Sequence, residues 1–132
     1  MRRHVPSAAA FGTLLAAVRL SLKTVGFART IRAVRQIAAR APLRSDTDPA
    51  ELPCAARAVA LAGAFFPGRA ICLEQALALY FALRRRGFPV ELRIGIQPYP
   101  FFAHAWVEHL GQPVNEDPEV VRHFVTFPEP TP

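Results

Sequence analysis

The chain has 132 residues, a length that suits one domain with a sizeable core and excludes two. A hydrophobic fraction of 52% excludes a disordered protein. The net charge of +6 is uneven, because nine basic residues precede the first acid, Asp46, whereas the remainder holds seven basic and ten acidic residues. This asymmetry divides the chain into a basic arm, residues 1–45, and a nearly neutral core, residues 46–127, with a proline-rich, frayed tail at 128–132.

The arm is predicted to be helical from residue 8 to residue 40, with a break near Gly26. One apolar stripe should face the core, and it consists of Phe27, Ile31, Val34 and Ala38. The arginines off this stripe are predicted to form a solvated basic face, with an acidic partner or an anionic membrane surface as the alternative. The apolar run before Arg19 is too short to span a bilayer. No RNA-binding signature is present, so nucleic acid is not expected.

Two further helices are predicted in the core. The first follows a linker, residues 42–49, with Asp48 as its N-cap, and ends before Pro67. The second begins near Cys72 and ends in an arginine-rich turn at Gly87. After it the period changes to strict alternation, which predicts an antiparallel meander of three strands in "FPVELRIGIQ", "FAHAWVEH" and "PVNED". Helices followed by a small antiparallel sheet define an α+β fold.

The chemistry is predicted to lie at Cys72 and His104. Cys72 opens a helix, where exposed N–H groups and the positive end of the dipole favour thiolate over thiol. A thiolate nucleophile needs a general base and a group that orients that base, and His104 lies in the middle of an apolar strand. The cysteines have no zinc-site spacing, so neither a metal nor a cofactor is predicted, and a reduced, cytoplasmic compartment is expected.

The acid that orients His104 depends on hairpin register. A two-residue loop, Leu110-Gly111, would require a positive φ at leucine and would set Asp117 across from His104. A three-residue loop, His109-Leu110-Gly111, would set Glu116 there instead. The second register avoids strain at leucine, so Glu116 is the predicted third residue and Asp117 is the alternative.

The segments "FPGRAICLEQALALYFALRRRGFPVELRIGI" and "PFFAHAWVEHLGQPVNE" resemble the transglutaminase-like leader peptidases of lasso-peptide biosynthesis, over about half of the chain. The resemblance implies a papain-like cysteine protease core in which Cys72 is the nucleophile, His104 the base and Glu116 the acid. Aspartate is common at this last position, which keeps Asp117 as the alternative.

The same resemblance implies a split form of the peptidase. It would cleave the leader from a ribosomally made precursor, with a separate leader-recognition protein and a lasso cyclase as partners. Two other functions stay open. One is acyl transfer to an amine by the same residues, and the other is a non-catalytic adaptor that docks through its basic arm.

Overall fold

A computed structural model describes residues 6–66, 71–97 and 102–126, and the predicted tail at 128–132 lies outside these ranges. The described residues form helices on one side and a small antiparallel sheet on the other, so the predicted α+β class is confirmed. In chain order the elements are α1 Ala8–Thr24, α2 Phe27–Ala39, α3 Glu51–Phe65, α4 Cys72–Arg85, β1 Val90–Gln97, β2 Phe102–His109, β3 Gln112–Pro113, α5 Pro118–Val121 and β4 Val125–Thr126.

The break between α1 and α2 occurs at Gly26, as predicted. Gly26 has a φ of 94°, a left-handed conformation that glycine adopts without strain. Ile31 and Ala38 of the predicted stripe are buried and Val34 packs against the core, but Phe27 is 53% exposed. The stripe therefore begins one turn later than predicted, because Phe27 is the first residue of α2 and lies at the exposed corner between the helices.

α3 begins at Glu51 with Ala50 as its N-cap, so the predicted N-cap at Asp48 is wrong. Asp48 instead forms the turn before the helix, because its carboxylate accepts a hydrogen bond from the Ala50 N–H at 3.0 Å. The helix ends at Phe65, and therefore before Pro67 as predicted. α4 ends in two arginines, and Gly87 follows with a φ of 93°.

The four strands are ordered β3-β2-β1-β4, and all neighbours are antiparallel. The predicted third strand is wrong in extent, because only Gln112 and Pro113 pair before the chain bends. After the bend, Asp117 caps the short helix α5. β4 follows and pairs with Gly95 and Ile96 of β1. Neither α5 nor β4 was predicted, since a four-residue helix and a two-residue strand carry no periodicity.

One hydrophobic core unites the helices with the inner residues of β1 and β2. α4 is its centre and packs against α1, α2, α3 and both long strands. α1 contributes Phe11, Leu15 and Val18 to this core, and all three side chains are buried. None of the described helices combines the length and apolar character needed to cross a membrane.

Candidate active site

Cys72 is the first residue of α4, as predicted, and its side chain is half-buried. Ile71 precedes it with extended backbone, and the Gln75 N–H donates to the Ile71 carbonyl at 3.1 Å, which closes the first helical turn. Cys72 and the exposed Cys54 are both free thiols. The cysteine therefore lies where the positive end of the helix dipole acts on it.

A buried ion pair lies in the first turn of α4, and the sequence did not reveal it. Glu74 is 5% exposed, and both of its oxygens accept hydrogen bonds from Arg19 of α1, at 2.8 and 2.9 Å. The Ile71 N–H also donates to Glu74 Oε1 at 3.0 Å. The Arg19 hydrogen bonds, with help from the Ile71 N–H, hold the pKa of Glu74 below its usual range, and the same pairing raises the pKa of Arg19.

His104 and Glu116 are in direct contact, because the His104 Nε2 atom hydrogen-bonds to Glu116 Oε2. The other carboxylate oxygen, Oε1, accepts from the Asp117 N–H at 3.1 Å. Both side chains are largely shielded from solvent. A carboxylate on one ring nitrogen fixes the orientation of the imidazole and its tautomer, as a base-orienting acid does.

The contact arises from a different hairpin register than predicted. His109 pairs with Gln112 and Glu108 with Pro113, so the loop is the two residues Leu110-Gly111. Leu110 has a φ of 50° and Gly111 has a φ of 83°. Both values are positive, as this type of two-residue hairpin turn requires. The predicted three-residue loop is therefore wrong.

Glu116 still reaches His104 because β3 ends early. After Pro113 the ladder continues with only one backbone bond, from the Val114 N–H to the Val107 carbonyl at 2.8 Å. The Asn115 side chain then accepts from the Val107 N–H at 2.9 Å and replaces the next strand bond. The chain bends here, so strand alternation no longer decides which acid faces His104.

Asp117 has a different place in the structure. Its carboxylate accepts a hydrogen bond from the Glu119 N–H at 2.8 Å and caps α5. Of the two acids considered from the sequence, Glu116 contacts His104, whereas Asp117 caps the N-terminus of α5.

Aromatic side chains surround the imidazole. The His104 ring lies 5.9 Å from Trp106 and 5.6 Å from Phe124, measured between centroids. Trp106 is fully buried, and its indole N–H donates to Glu108 at 2.9 Å. His104 and Trp106 alternate along β2 with Ala105 and Val107, which belong to the helix-facing core. These rings exclude water from one side of the His104–Glu116 pair.

A groove of about 380 Å³ lies between the start of α3 and the β2–β3 hairpin. Its lining is mostly apolar, and it consists of Pro49, Leu52, Pro53, His109, Leu110, Gln112, Pro113 and Val114. Within the described ranges, no three His, Cys, Asp or Glu side chains are close enough to hold a metal ion.

Comparison with known proteins agrees with this architecture. The family model of the transglutaminase-like superfamily matches residues 13–128, so the chain belongs to that superfamily. The chain is also similar to the microcin J25-processing protein McjB of Escherichia coli, with 39% identity over 49 residues. That match covers 37% of this chain and 24% of McjB, so it spans about a quarter of that protein. No solved structure gives a significant match.

Proposed function

We propose that the protein is a cysteine peptidase that removes the leader from a lasso-peptide precursor. The observation that carries the proposal is the His104–Glu116 pair in a transglutaminase-like chain whose Cys72 opens the central helix. The similarity to McjB, a protein named for processing microcin J25, supports this substrate class. A leader-recognition protein and a lasso cyclase would be its partners.

In the proposed reaction the Cys72 sulfur attacks the carbonyl carbon of the peptide bond between leader and core. His104 takes the thiol proton and delivers it to the departing core amine, so the C–N bond breaks and a thioester to the leader remains. Because Glu116 binds Nε2, this proton exchange would use Nδ1, which is buried in this structure and which the thiol and water would have to reach. Water, deprotonated by the same imidazole, then attacks the thioester and releases the leader carboxylate and the free thiol.

The Cys72 backbone N–H is the proposed donor to the oxyanion that forms during both attacks. The Ile71 N–H is already bonded to Glu74, so it serves the helix start instead. Glu116 orients the imidazole and stabilises its charged form, whereas Asp117 is proposed to act only as the cap of α5.

The test uses mass spectrometry of a lasso-peptide precursor incubated with this protein and a leader-recognition protein from the source organism. We expect wild type to release an intact leader and Cys72→Ala to release none. Cys54→Ala is the matched control, because Cys54 is exposed and lies on α3, and it should cleave at the wild-type rate.

The same assay assigns the acid. We expect Glu116→Gln to lower kcat by about 10²-fold or more, since a carboxamide cannot stabilise the charged imidazole, and Asp117→Asn to stay within about threefold of wild type. The reverse order would assign the role to Asp117. A product in which the leader is joined to an amine would indicate acyl transfer, and an uncleaved precursor under conditions where all components bind would indicate an adaptor.

A further inference from the structure

The pair Arg19–Glu74 connects α1 to the beginning of the helix that carries Cys72. Glu74 lies two residues after Cys72, on the first turn of α4, and is 5% exposed. The Arg19 side chain is 22% exposed, and it binds Glu74 through two nitrogens in the bidentate geometry that arginine forms with carboxylates. In this geometry the two parallel hydrogen bonds fix the orientation of the carboxylate, in addition to the attraction between the charges.

The same carboxylate also holds the backbone that enters the helix. Glu74 Oε1 accepts from both Arg19 Nη2, at 2.9 Å, and the Ile71 N–H, at 3.0 Å. The Ile71 carbonyl is engaged as well, because it accepts from the Gln75 N–H at 3.1 Å. Both backbone polar groups of the residue that precedes Cys72 are therefore fixed, and one of them depends on Glu74.

A third element fixes Arg19 itself. The Arg19 guanidinium carbon lies 4.3 Å from the centre of the Phe66 ring, directly after the end of α3. The chain thus connects an aromatic ring at the α3 terminus, an arginine of α1 and a carboxylate of α4 in one series of contacts that ends at the Ile71 N–H. The contact from Glu74 to the Ile71 N–H is the N3-to-N-cap half of a capping box, which fixes the start of the helix.

We propose that Arg19 and Glu74 are positioning residues that hold the backbone of Ile71, and through it the Cys72 thiol and backbone N–H. The catalytic consequence rests on the proposed function above, whereas the fixed position of the Ile71 backbone does not. Displacing a reacting group by about 1 Å can cost about 10²-fold in rate. Loss of the pair should therefore lower kcat and leave KM nearly unchanged, because the proposed role of these residues is to position Cys72 and not to bind the precursor.

Amide hydrogen exchange measured by NMR tests the positioning without any precursor. In Arg19→Gln the amide of Ile71 should exchange at least about tenfold faster than in wild type, while Leu79 in the middle of α4 keeps its protection. Arg19→Lys should fall between the two, because lysine keeps the charge but not the bidentate geometry. Asp46→Asn is the matched control, because it breaks the exposed bidentate pair between Asp46 and Arg44. The hydrogen bonds of that pair, at 2.8 and 2.9 Å, have the same lengths as those between Arg19 and Glu74.

Cleavage kinetics of the same variants test the consequence for catalysis. We expect kcat of Arg19→Gln to fall about tenfold with KM within about twofold, and both constants of Asp46→Asn to be unchanged. Equal acceleration of exchange at Ile71 and Leu79, or no acceleration at either, would overturn the proposal. An unchanged kcat in a variant with fast Ile71 exchange would overturn it as well. If wild type cleaves no precursor, the proposed function fails, and the exchange rates alone decide whether the pair holds the Ile71 backbone.

Discussion

Gly95 allows two aromatic side chains to approach the sheet beside His104. It is the residue of β1 that pairs with His104 on β2. A Cβ atom at Gly95 would lie 2.8 Å from the Phe124 Cβ and 2.9 Å from Trp106 Cη2, closer than side chains tolerate. Since both rings also contact the imidazole, the absence of a side chain at Gly95 is a condition for the present position of His104.

We predict that Gly95→Ala lowers the free energy of unfolding by about 1–3 kcal/mol, because the added methyl group must displace a buried ring. It should also lower cleavage activity, since the displaced rings contact His104. Urea denaturation and the cleavage assay measure the two effects. Gly12→Ala is the control: Gly12 lies within α1 with nothing near its missing Cβ, so alanine there should stabilise by about 0.5–1 kcal/mol. A stable, fully active Gly95→Ala protein would contradict this role.

At the scale of elements, the β2–β3 hairpin shows how tertiary structure overrides a local preference. The turn places Leu110 in the left-handed region, where a non-glycine residue is strained. The strain is accepted because the two-residue turn matches the twist of the strands and places Asn115 on the open edge of β2. A preference of about 1 kcal/mol at one residue therefore could not decide the register.

We predict that Leu110→Asn raises the free energy of unfolding by about 0.5–1 kcal/mol, since asparagine before glycine is favoured in such turns. Little burial is lost, because Leu110 is 76% exposed. Thermal and urea denaturation measure the change. Leu61→Asn is the matched control at an exposed position of α3, where asparagine is the poorer helix former and should destabilise slightly. Destabilisation of equal size in both variants would refute the explanation.

At the scale of the whole molecule, the N-terminal helices are built into the core that supports the candidate site. Buried apolar residues of α1 pack on α3 and α4, and Arg19 adds the ion pair with Glu74. Arg29 and Arg32 of α2 are exposed, and so is Arg40 directly after its end. One segment thus combines a structural inner face with a basic outer face, and a test of the outer face needs substitutions rather than deletion of the helices.

The same ion pair predicts how stability depends on pH. Arg19 lowers the pKa of Glu74 in the folded state. The stabilisation by the pair is therefore fully present above the pKa of glutamate in the unfolded chain, about 4.3, and is lost as the pH falls through the lower pKa of the folded protein. The difference in unfolding free energy between wild type and Arg19→Gln should therefore be largest near neutral pH and shrink below about pH 4. Urea denaturation at several pH values measures it, and a difference that grows on acidification would contradict the prediction.

Much of this fold was predictable because its signals are local. Apolar spacing and glycines predicted α1 to α4, and alternation predicted β1 and β2. The motif around Cys72 and His104 led to the candidate site, whose catalytic role stays a prediction. Interactions between distant residues were not predictable in this way. Arg19 and Glu74 are 55 positions apart, and either residue alone has the pattern of an ordinary surface charge. Glu116 was predicted from a hairpin register that the protein does not adopt. Its contact with His104 arises instead because β3 ends early and the chain bends.

The brevity of β3 and β4 has a consequence for solubility. Within the described ranges, each outer strand covers only two residues of its neighbour, and the rest of the outer edges of β1 and β2 has no described strand beside it. Such open edges can recruit strands of other molecules and start aggregation. Side chains occupy part of these edges: Arg35 of α2 donates to the Leu92 carbonyl of β1 at 3.1 Å, and Asn115 accepts from Val107 of β2. These two polar side chains thus occupy backbone groups that a strand of another molecule would need for pairing.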